Sequence, residues 1–330
     1  MKKTLLNIFL VLLATVGMVL TGCDTDGSGS ASYSEPDPAQ YVLVEGGSYL
    51  RGSPDVDFVA VNEQPQHEVR VSSFYIGKYE VTQKEWKDIM GLTVEEQHTI
   101  SGQAAANFRG SGDDLPINFV NWKDAVEFCN RLSKKEGLTP AYTVTTGGDW
   151  LVPTWDVEWN RSAEGWRLPT EAEWEYACRA GTTTRYNTGD TENDLAAAAW
   201  YAKNSTIKVE GADKQMLHPV GTKKPNAWGI YDMHGNVWEW CYDRYVPNYA
   251  DYAANAPVED PIGADKEENE NRVIRGGAFN NTVNIFEADG ETLKTSLTSA
   301  ASDFFYCARR TGFEPSTRGQ NNGFRIVRSK

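Results

Sequence analysis

NAWGIYDMHGNVWEWCYD, residues 226–243, is the stretch that decides the fold. It holds three tryptophans, two glycines and three acidic residues within eighteen positions. Large aromatics set between glycines indicate a tightly turned, aromatic-packed core rather than a helix or a simple strand. Asp232 and Glu239 lie seven residues apart across Gly235, so a turn between them can bring both carboxylates to one hard cation. Proteins bind calcium in this way, through carboxylate and carbonyl oxygens.

The N-terminus has the features of a targeting segment. Lys2 and Lys3 precede a mostly apolar run that ends at Leu20, and Thr21 and Gly22 then lead into Cys23. Small residues before a cysteine are typical of a bacterial lipoprotein signal. A membrane-spanning anchor is the alternative, but the apolar run is shorter than the about 20 residues that cross a bilayer. We therefore predict a signal peptide over residues 1–22, acylation of Cys23, and a lipid anchor in the cell envelope, at the outer membrane.

The next residues predict a tether followed by one folded domain. Residues 23–40 are rich in Ser, Gly, Asp and Pro, which cannot bury enough apolar surface to fold. Residues 41–330 show no second linker and no internal repeat, so we predict a single domain. The formal net charge of −14 argues against nucleic acid as a partner. The same charge is compatible with cations, basic peptides or neutral glycans.

Local patterns predict strands and three helices. Residues 41–52 read as a strand, a glycine turn and a second strand, and residues 67–76 alternate as another strand. Capping boxes at Thr82 and Thr170 and an apolar stripe after Asn121 predict the helices. Cys129 falls on that stripe and is expected in the core. These elements, with much irregular backbone between them, predict an α+β fold of low regular content.

Five motifs occur in a fixed order along the chain: FYIGKYEVT (residues 74–82), GWRLPTEAEWEY (165–176), GNVWEW (235–240), RGGAF (275–279) and NGFR (322–325). Together they resemble the formylglycine-generating enzyme, or sulfatase-modifying factor, family from about Tyr41 to Arg328. The resemblance implies that family's compact mixed fold, which is related to C-type-lectin-like domains. Enzymes of the family oxidise a sulfatase cysteine to formylglycine with oxygen, and two cysteines just after the RGGSW/Y element hold copper.

The chain departs from the family at those cysteines. Ala278 stands where the family has serine, and Phe279, Asn280 and Asn281 follow it. Neither copper-binding cysteine is present, and a soft thiolate pair is what suits Cu(I). Copper and a catalytic residue are therefore not expected. A formylglycine-generating oxidase with an atypical site is the alternative.

The resemblance implies a calcium site. Its ligands would be the side chain of Asp232, the backbone carbonyls of Gly235 and Val237, and the carboxylate of Glu239. The alternative is that these acids cap turns or pair with arginines, of which Arg275 and Arg325 are the candidates.

The remaining cysteines allow several pairings. Without Cys23, four thiols permit three complete pairings, and spacing does not choose between them. The resemblance implies a disulfide between Cys178 and Cys307 and leaves Cys129 without its family partner. The four histidines form no HxH, HxxxH or HExxH motif, so a histidine-based metal site is not indicated.

These observations favour a non-oxidase role. We expect a lipid-anchored envelope protein that binds or scaffolds a peptide or glycan ligand. A ligand groove lined by Trp238, Ala278, Phe279 and Asn281 is the expected site, with a purely structural role for the aromatics as the alternative.

Overall fold

The computed structural model describes residues 35–54, 61–148, 153–263, 270–283, 286, 289–290, 292 and 303–330. Residues 35–330 form one compact unit, and the first strand begins at Tyr41. The predicted signal peptide, Cys23 and the tether up to residue 34 lie outside the described residues.

Six α-helices occur among the described residues. They are α1 (Gln83–Met90), α2 (Val94–Ser101), α3 (Trp122–Lys135), α4 (Glu171–Arg179), α5 (Glu192–Ala198) and α6 (Ala250–Ala254). The first five open with a capping box, in which the N-cap side chain and the third helical residue exchange hydrogen bonds. The three predicted helix starts are confirmed. Within the described ranges no helix combines the length and the apolar character needed to cross a bilayer.

The strands are short. They are β1 (Tyr41–Val44), β2 (Gly47–Arg51), β3 (His67–Val71), β4 (Phe74–Gly77), β5 (Tyr142–Gly148), β6 (Pro153–Trp159), β7 (Ala199–Trp200), β8 (Thr206–Val209), β9 (Ala212–Gln215), β10 (His234–Gly235), β11 (Trp238–Arg244), β12 (Val258–Glu259), β13 (Arg272–Arg275), β14 (Arg310–Phe313), β15 (Asn322–Gly323) and β16 (Val327–Ser329).

The predicted strand over residues 67–76 is divided in two. β3 pairs with β2 and β12, whereas β4 pairs with β1 and β16. The break falls at Ser72, whose N–H and hydroxyl both donate to the carboxylate of Asp260. Those side-chain bonds take the chain from one sheet to the next, which alternation in the sequence could not reveal.

A four-stranded sheet in the order β14-β13-β11-β15 brings three of the motifs together. In it Glu239 lies opposite Arg275 on one side and opposite Gly323 on the other. The stretch 226–243 is thus aromatic-packed as predicted, but its second half is a strand, which the prediction excluded. A register irregularity between Trp240 and Arg244 marks where that strand departs from ideal pairing.

The two ends of the domain meet on β4. β1 pairs antiparallel with β4, with Tyr41 opposite Gly77. β16 pairs antiparallel with the same strand, with Val327 opposite Ile76. The sheet β1-β4-β16 therefore contains both the first and the last strand of the domain.

Aromatic side chains dominate the core. Trp86, Trp122, Trp166, Trp174 and Trp240 are fully buried. The rings of Trp86 and Phe128 stack with centroids 5.9 Å apart, and Phe324 meets both edge-on. Cys129 is buried in this cluster, which confirms its predicted place in the core.

Candidate functional site

Asp232 lies where the stretch 226–243 bends back on itself. Its φ angle is 56°, in the left-handed region that Asp and Asn tolerate better than most residues. The side chain is buried, and its Oδ2 accepts a hydrogen bond from the N–H of Gly221 at 2.7 Å. Burial raises the pKa of this carboxyl to about 6, because the ionised form loses its hydration. Asp232 therefore offers a poorly solvated carboxylate of the kind that a hard cation binds.

Glu239 is differently placed. Its two oxygens accept hydrogen bonds from Nε and Nη2 of Arg325 at 2.6 and 2.7 Å. The indole N–H of Trp174 donates to the same carboxylate at 2.7 Å. Both oxygens thus accept hydrogen bonds, which is the arginine pairing that the sequence left open as the alternative. The calcium site stays a prediction.

A further buried acid, Glu80, lies beside the same turn and was not predicted. Its Oε1 accepts from the N–H of Val237 at 3.0 Å, and its Oε2 from Nδ2 of Asn236 at 2.8 Å. Burial and then the neighbouring charges of Asp232 and Glu239 hold its pKa well above the usual value. Its place in the motif FYIGKYEVT was the available signal, but a motif position does not say which turn a side chain reaches.

Three of the four residues predicted to line a ligand groove are buried, and the groove stays a prediction. Trp238, Ala278 and Phe279 are buried, with 4, 0 and 0 % of their surfaces exposed. The backbone turns inward at Gly276 and Gly277, whose φ angles are 93° and 77°. That turn, which needs glycine, carries Ala278 and Phe279 into the interior.

Asn281, the fourth predicted groove residue, is only half-buried. Its Oδ1 accepts from the N–H of Ala278 at 2.9 Å, so its amide closes the turn. The neighbouring Asn280 accepts from Nδ2 of Asn321 at 3.0 Å. Amide side chains at this place hold loops together, and they carry no redox chemistry.

An open cleft of about 590 Å³ lies elsewhere, at the N-terminal end of α1. Its lining includes one lysine, Lys84, and five acids: Glu80, Glu85, Asp88, Asp113 and Asp114. Asp113 and Asp114 are exposed. Glu80 is buried and Asp88 pairs with Lys84, so the exposed carboxylates of Asp113 and Asp114 give the cleft its negative potential, which favours a basic ligand. Sequence reasoning missed it because its acids come from separate segments.

The two cysteines predicted to pair are brought together. Cys178 on α4 and Cys307 are both fully buried, and both are free thiols in this structure. The disulfide between them stays a prediction, but the proximity that it needs is present. Burial, followed by the contact with Cys307, raises the pKa of Cys178 well above its usual value. For Cys307 burial acts upward as well, but the contacts with Cys178 and His234 hold its pKa well below the ordinary value.

His234 joins these thiols, and it was not predicted as a site residue. Its Nε2 lies 3.9 Å from Sγ of Cys178, and the three potential ligand atoms lie within 4.8 Å of one another. The N–H of Asn187 donates to the same Nε2 at 3.1 Å. No spacing motif could have found this group, because its members are separated by 56 and 73 positions in the chain.

Comparison with known proteins identifies the family. Residues 29–330 match the family model described as a sulfatase-modifying factor enzyme 1-like domain. The chain belongs to the sulfatase-modifying factor family. "Chaperone protein LppX" of Paenibacillus barcinonensis is 33% identical over 346 residues, which cover 100% of each chain. The formylglycine-generating enzyme of Streptomyces coelicolor is 28% identical over 84% of this chain and 94% of its own.

A solved structure supports the same conclusion about the fold. Treponema denticola variable protein 1 superposes with a TM-score of 0.66 at 30% identity, over 88% of this chain and 95% of its own. The predicted α+β fold of the sulfatase-modifying factor family is therefore confirmed. The family also includes proteins with names as different as an enzyme and a chaperone, so membership alone does not assign an activity.

Proposed function

We propose that this chain is a lipid-anchored cell-envelope member of the sulfatase-modifying factor family that binds polypeptides instead of oxidising them. The observation that carries the proposal is the absence of any cysteine between Cys241 and Cys307. That interval contains the Gly276–Gly277 turn, after which the family's enzymes hold copper with two cysteines. The family's oxidation depends on two thiolates that hold copper, and this interval supplies neither of them.

The relative named as a chaperone supports a polypeptide ligand. It is 33% identical and matches along its whole length. A chaperone needs an accessible surface, and the cleft at α1 is such a surface. Its exposed carboxylates suit basic segments of a partially folded chain, with an attraction that salt weakens.

The oxidase alternative has a direct test. The full chain is incubated in detergent with copper, oxygen and a peptide of the form Cys-x-Pro-x-Arg. We expect the mass spectrum of the peptide to show cysteine only. A copper-dependent mass loss corresponding to formylglycine would refute the non-oxidase proposal.

Polypeptide binding is tested by aggregation of chemically denatured citrate synthase, followed by light scattering. The full chain should slow the aggregation, and added salt should weaken the effect. The double variant Asp113→Asn/Asp114→Asn should lose most of it, because it removes two exposed charges from the cleft. The matched control, Glu68→Gln/Asp251→Asn, removes two exposed charges outside the cleft and should behave as the parent. Aggregation that is unaffected by the parent protein contradicts a chaperone role.

A further inference from the structure

A second pocket, of about 170 Å³, shares no lining residue with the acidic cleft at α1. Its walls come from the end of α4 and the turn that follows it, from residues beside β2 and β3, and from the segment before β14. Two arginines, Arg179 and Arg185, line it together with one acid, Asp190. The lining is therefore more positive than that of the cleft, and the pocket has no part in the function proposed above.

Arg179 belongs to a buried network in which positive charge is in excess. The network contains four guanidiniums and two carboxylates, those of Arg51, Arg179, Arg275, Arg310, Glu171 and Glu175. Burial raises the pKa of the adjoining Asp243 to about 7, so this carboxyl is only partly ionised at neutral pH. Even when Asp243 is ionised, these groups keep more positive than negative charge. A buried charge without a counter-charge is costly, so the network stabilises an anion that approaches it.

Arg179 is the member of this network that reaches the pocket. Its side chain is 9 % exposed, compared with 2, 0 and 0 % for the other three arginines. Its Nε donates to Glu175 at 3.0 Å, and its Nη2 donates to the carbonyl of Gly52 at 3.1 Å. Within the described ranges Nη1 has no hydrogen-bond acceptor, which leaves this nitrogen available to a ligand.

Arg185 adds a second guanidinium to the pocket wall. Its Nη1 donates to the hydroxyl of Tyr306, and its Cζ lies 4.4 Å from the centroid of the Tyr306 ring. Two acids are near it, but Asp190 accepts from the main-chain N–H of Arg185, and Asp303 accepts from the hydroxyl of Tyr186. No carboxylate in the described part of the chain forms an ion pair with this guanidinium. The aromatic contact orients Arg185 without neutralising its charge.

We propose that this pocket binds one tetrahedral oxyanion, a phosphate or sulfate group, between Arg179 and Arg185. A planar guanidinium presents paired N–H donors that match the oxygens of such a group. A carboxylate has two oxygens and serves one guanidinium, whereas a tetrahedral group has oxygens for both. The bound anion also supplies the counter-charge that the buried network lacks. The exposed Thr183 in the lining contributes a hydroxyl donor at the solvent side.

Calorimetric titration of the full chain in detergent tests the site directly. The probes are inorganic phosphate, sulfate and acetate, at constant ionic strength because salt screens such contacts. We expect one phosphate or sulfate per chain and weaker binding of acetate. Glycerol 1-phosphate forms a further arm: tighter binding than that of inorganic phosphate identifies the group as part of a larger ligand, and equal or weaker binding identifies the free ion.

Variants of Arg185 assign the site. Arg185→Gln should weaken phosphate binding by roughly tenfold or more, because it removes hydrogen bonds to a charged group. Arg185→Lys keeps the charge but loses the planar fork, so its affinity should fall between those of the parent and Arg185→Gln. Arg109→Gln is the matched control, because Arg109 is also half-buried and lies over an aromatic ring, that of Phe279, outside the pocket. Circular dichroism checks that each variant folds.

Asp190→Asn should have the opposite effect. It removes the acid of the lining and keeps an oxygen that can accept from the N–H of Arg185. Phosphate should therefore bind more tightly, and a gain in affinity does not arise from a variant that merely disturbs the fold. Phosphate should also raise the unfolding temperature of the parent more than that of Arg185→Gln. This comparison separates binding from the general stabilisation that phosphate and sulfate salts give to proteins.

Two results would overturn the proposal. One is the absence of saturable binding of phosphate or sulfate at one per chain in the parent protein. The other is an affinity that Arg185→Gln leaves unchanged, which would show that the anion binds elsewhere. Neither result bears on polypeptide binding at the cleft, since the two sites have no residue in common.

Discussion

Arg325 and Glu239 form an ion pair with two hydrogen bonds, 2.6 and 2.7 Å long, and neither side chain is exposed to solvent. Trp174 donates to the same carboxylate. Three motifs that are far apart in the sequence, around residues 174, 239 and 325, therefore converge on one buried charge.

The first prediction concerns that pair. Glu239→Gln removes the carboxylate that pairs directly with the buried Arg325 guanidinium, and we expect a loss of roughly 3–5 kcal/mol in the free energy of unfolding. Urea denaturation measures it. Glu127→Gln is the control, because Glu127 pairs with Arg131 at the surface, where such pairs contribute at most about 1 kcal/mol. Equal effects of the two changes would contradict a special role for the buried pair.

The second prediction compares two glycines in the stretch 226–243. Gly235 and Gly229 have similar positive φ angles of 83° and 78°. A Cβ at Gly235 would lie 2.2 Å from the carbonyl oxygen of Trp200, whereas a Cβ at Gly229 would meet nothing within 4 Å. Gly229→Ala should cost about 1–2 kcal/mol for the left-handed conformation alone. Gly235→Ala should cost clearly more, since the backbone of Trp200 must move, and thermal unfolding compares them directly.

The third prediction concerns pH. Burial, and then the nearby charge of Glu171, raises the pKa of Asp243 to about 7, while its Oδ2 accepts from the N–H of Glu171. The pKa of Asp243 is therefore higher in the folded protein than in the unfolded chain. This carboxyl favours folding below about pH 4, and that contribution is lost as the pH rises to about 7. Asp243→Asn keeps an oxygen that can accept from the N–H of Glu171, but the amide does not ionise, so the variant does not lose this stability as the pH rises.

The variant should therefore gain stability over the parent between pH 4 and pH 8, by at most about 4 kcal/mol at 1.36 kcal/mol per pH unit. The measurement is urea denaturation at several pH values. Asp251→Asn changes an exposed carboxyl and is the control: the difference in unfolding free energy between this variant and the parent should not change with pH. A flat difference for Asp243→Asn as well would show that this carboxyl titrates normally.

The fourth prediction tests the calcium site. Calcium added to chelator-treated protein should raise the unfolding temperature, by an amount that corresponds to about 2.7 kcal/mol when calcium is 100 times its Kd. Asp232→Ala should reduce the effect, because Asp232 is the one predicted side-chain ligand whose carboxylate does not pair with an arginine in this structure. An unchanged unfolding temperature in the parent protein would contradict the calcium site.

Local signals predicted the helices well. The capping boxes at Thr82 and Thr170 and the stripe that includes Cys129 are set by neighbours three or four residues apart, so the sequence is sufficient. The sequence left open whether Phe279 lines a groove or packs as a structural aromatic. It is buried, and this outcome depends on segments that are distant in the chain.

The contacts that define the candidate sites depend on distant parts of the chain. His234 meets Asn187 and Cys178, 47 and 56 positions away, and nothing in the local pattern marks it as more than a scattered histidine. The pairing of Cys178 with Cys307 was expected only through the family resemblance. For Glu239 the resemblance implied an ion, and pairing with Arg325 was the alternative; Arg325 lies 86 positions further on, so the local sequence could not decide between them.

The closing of the sheet β1-β4-β16 by the last strand has a consequence for biogenesis. Val327 to Ser329 complete the pairing that β1 and β4 begin more than 240 residues earlier. Until residues 327–329 leave the ribosome, this sheet lacks one of its edge strands, so the domain completes its fold only after that strand has been synthesised.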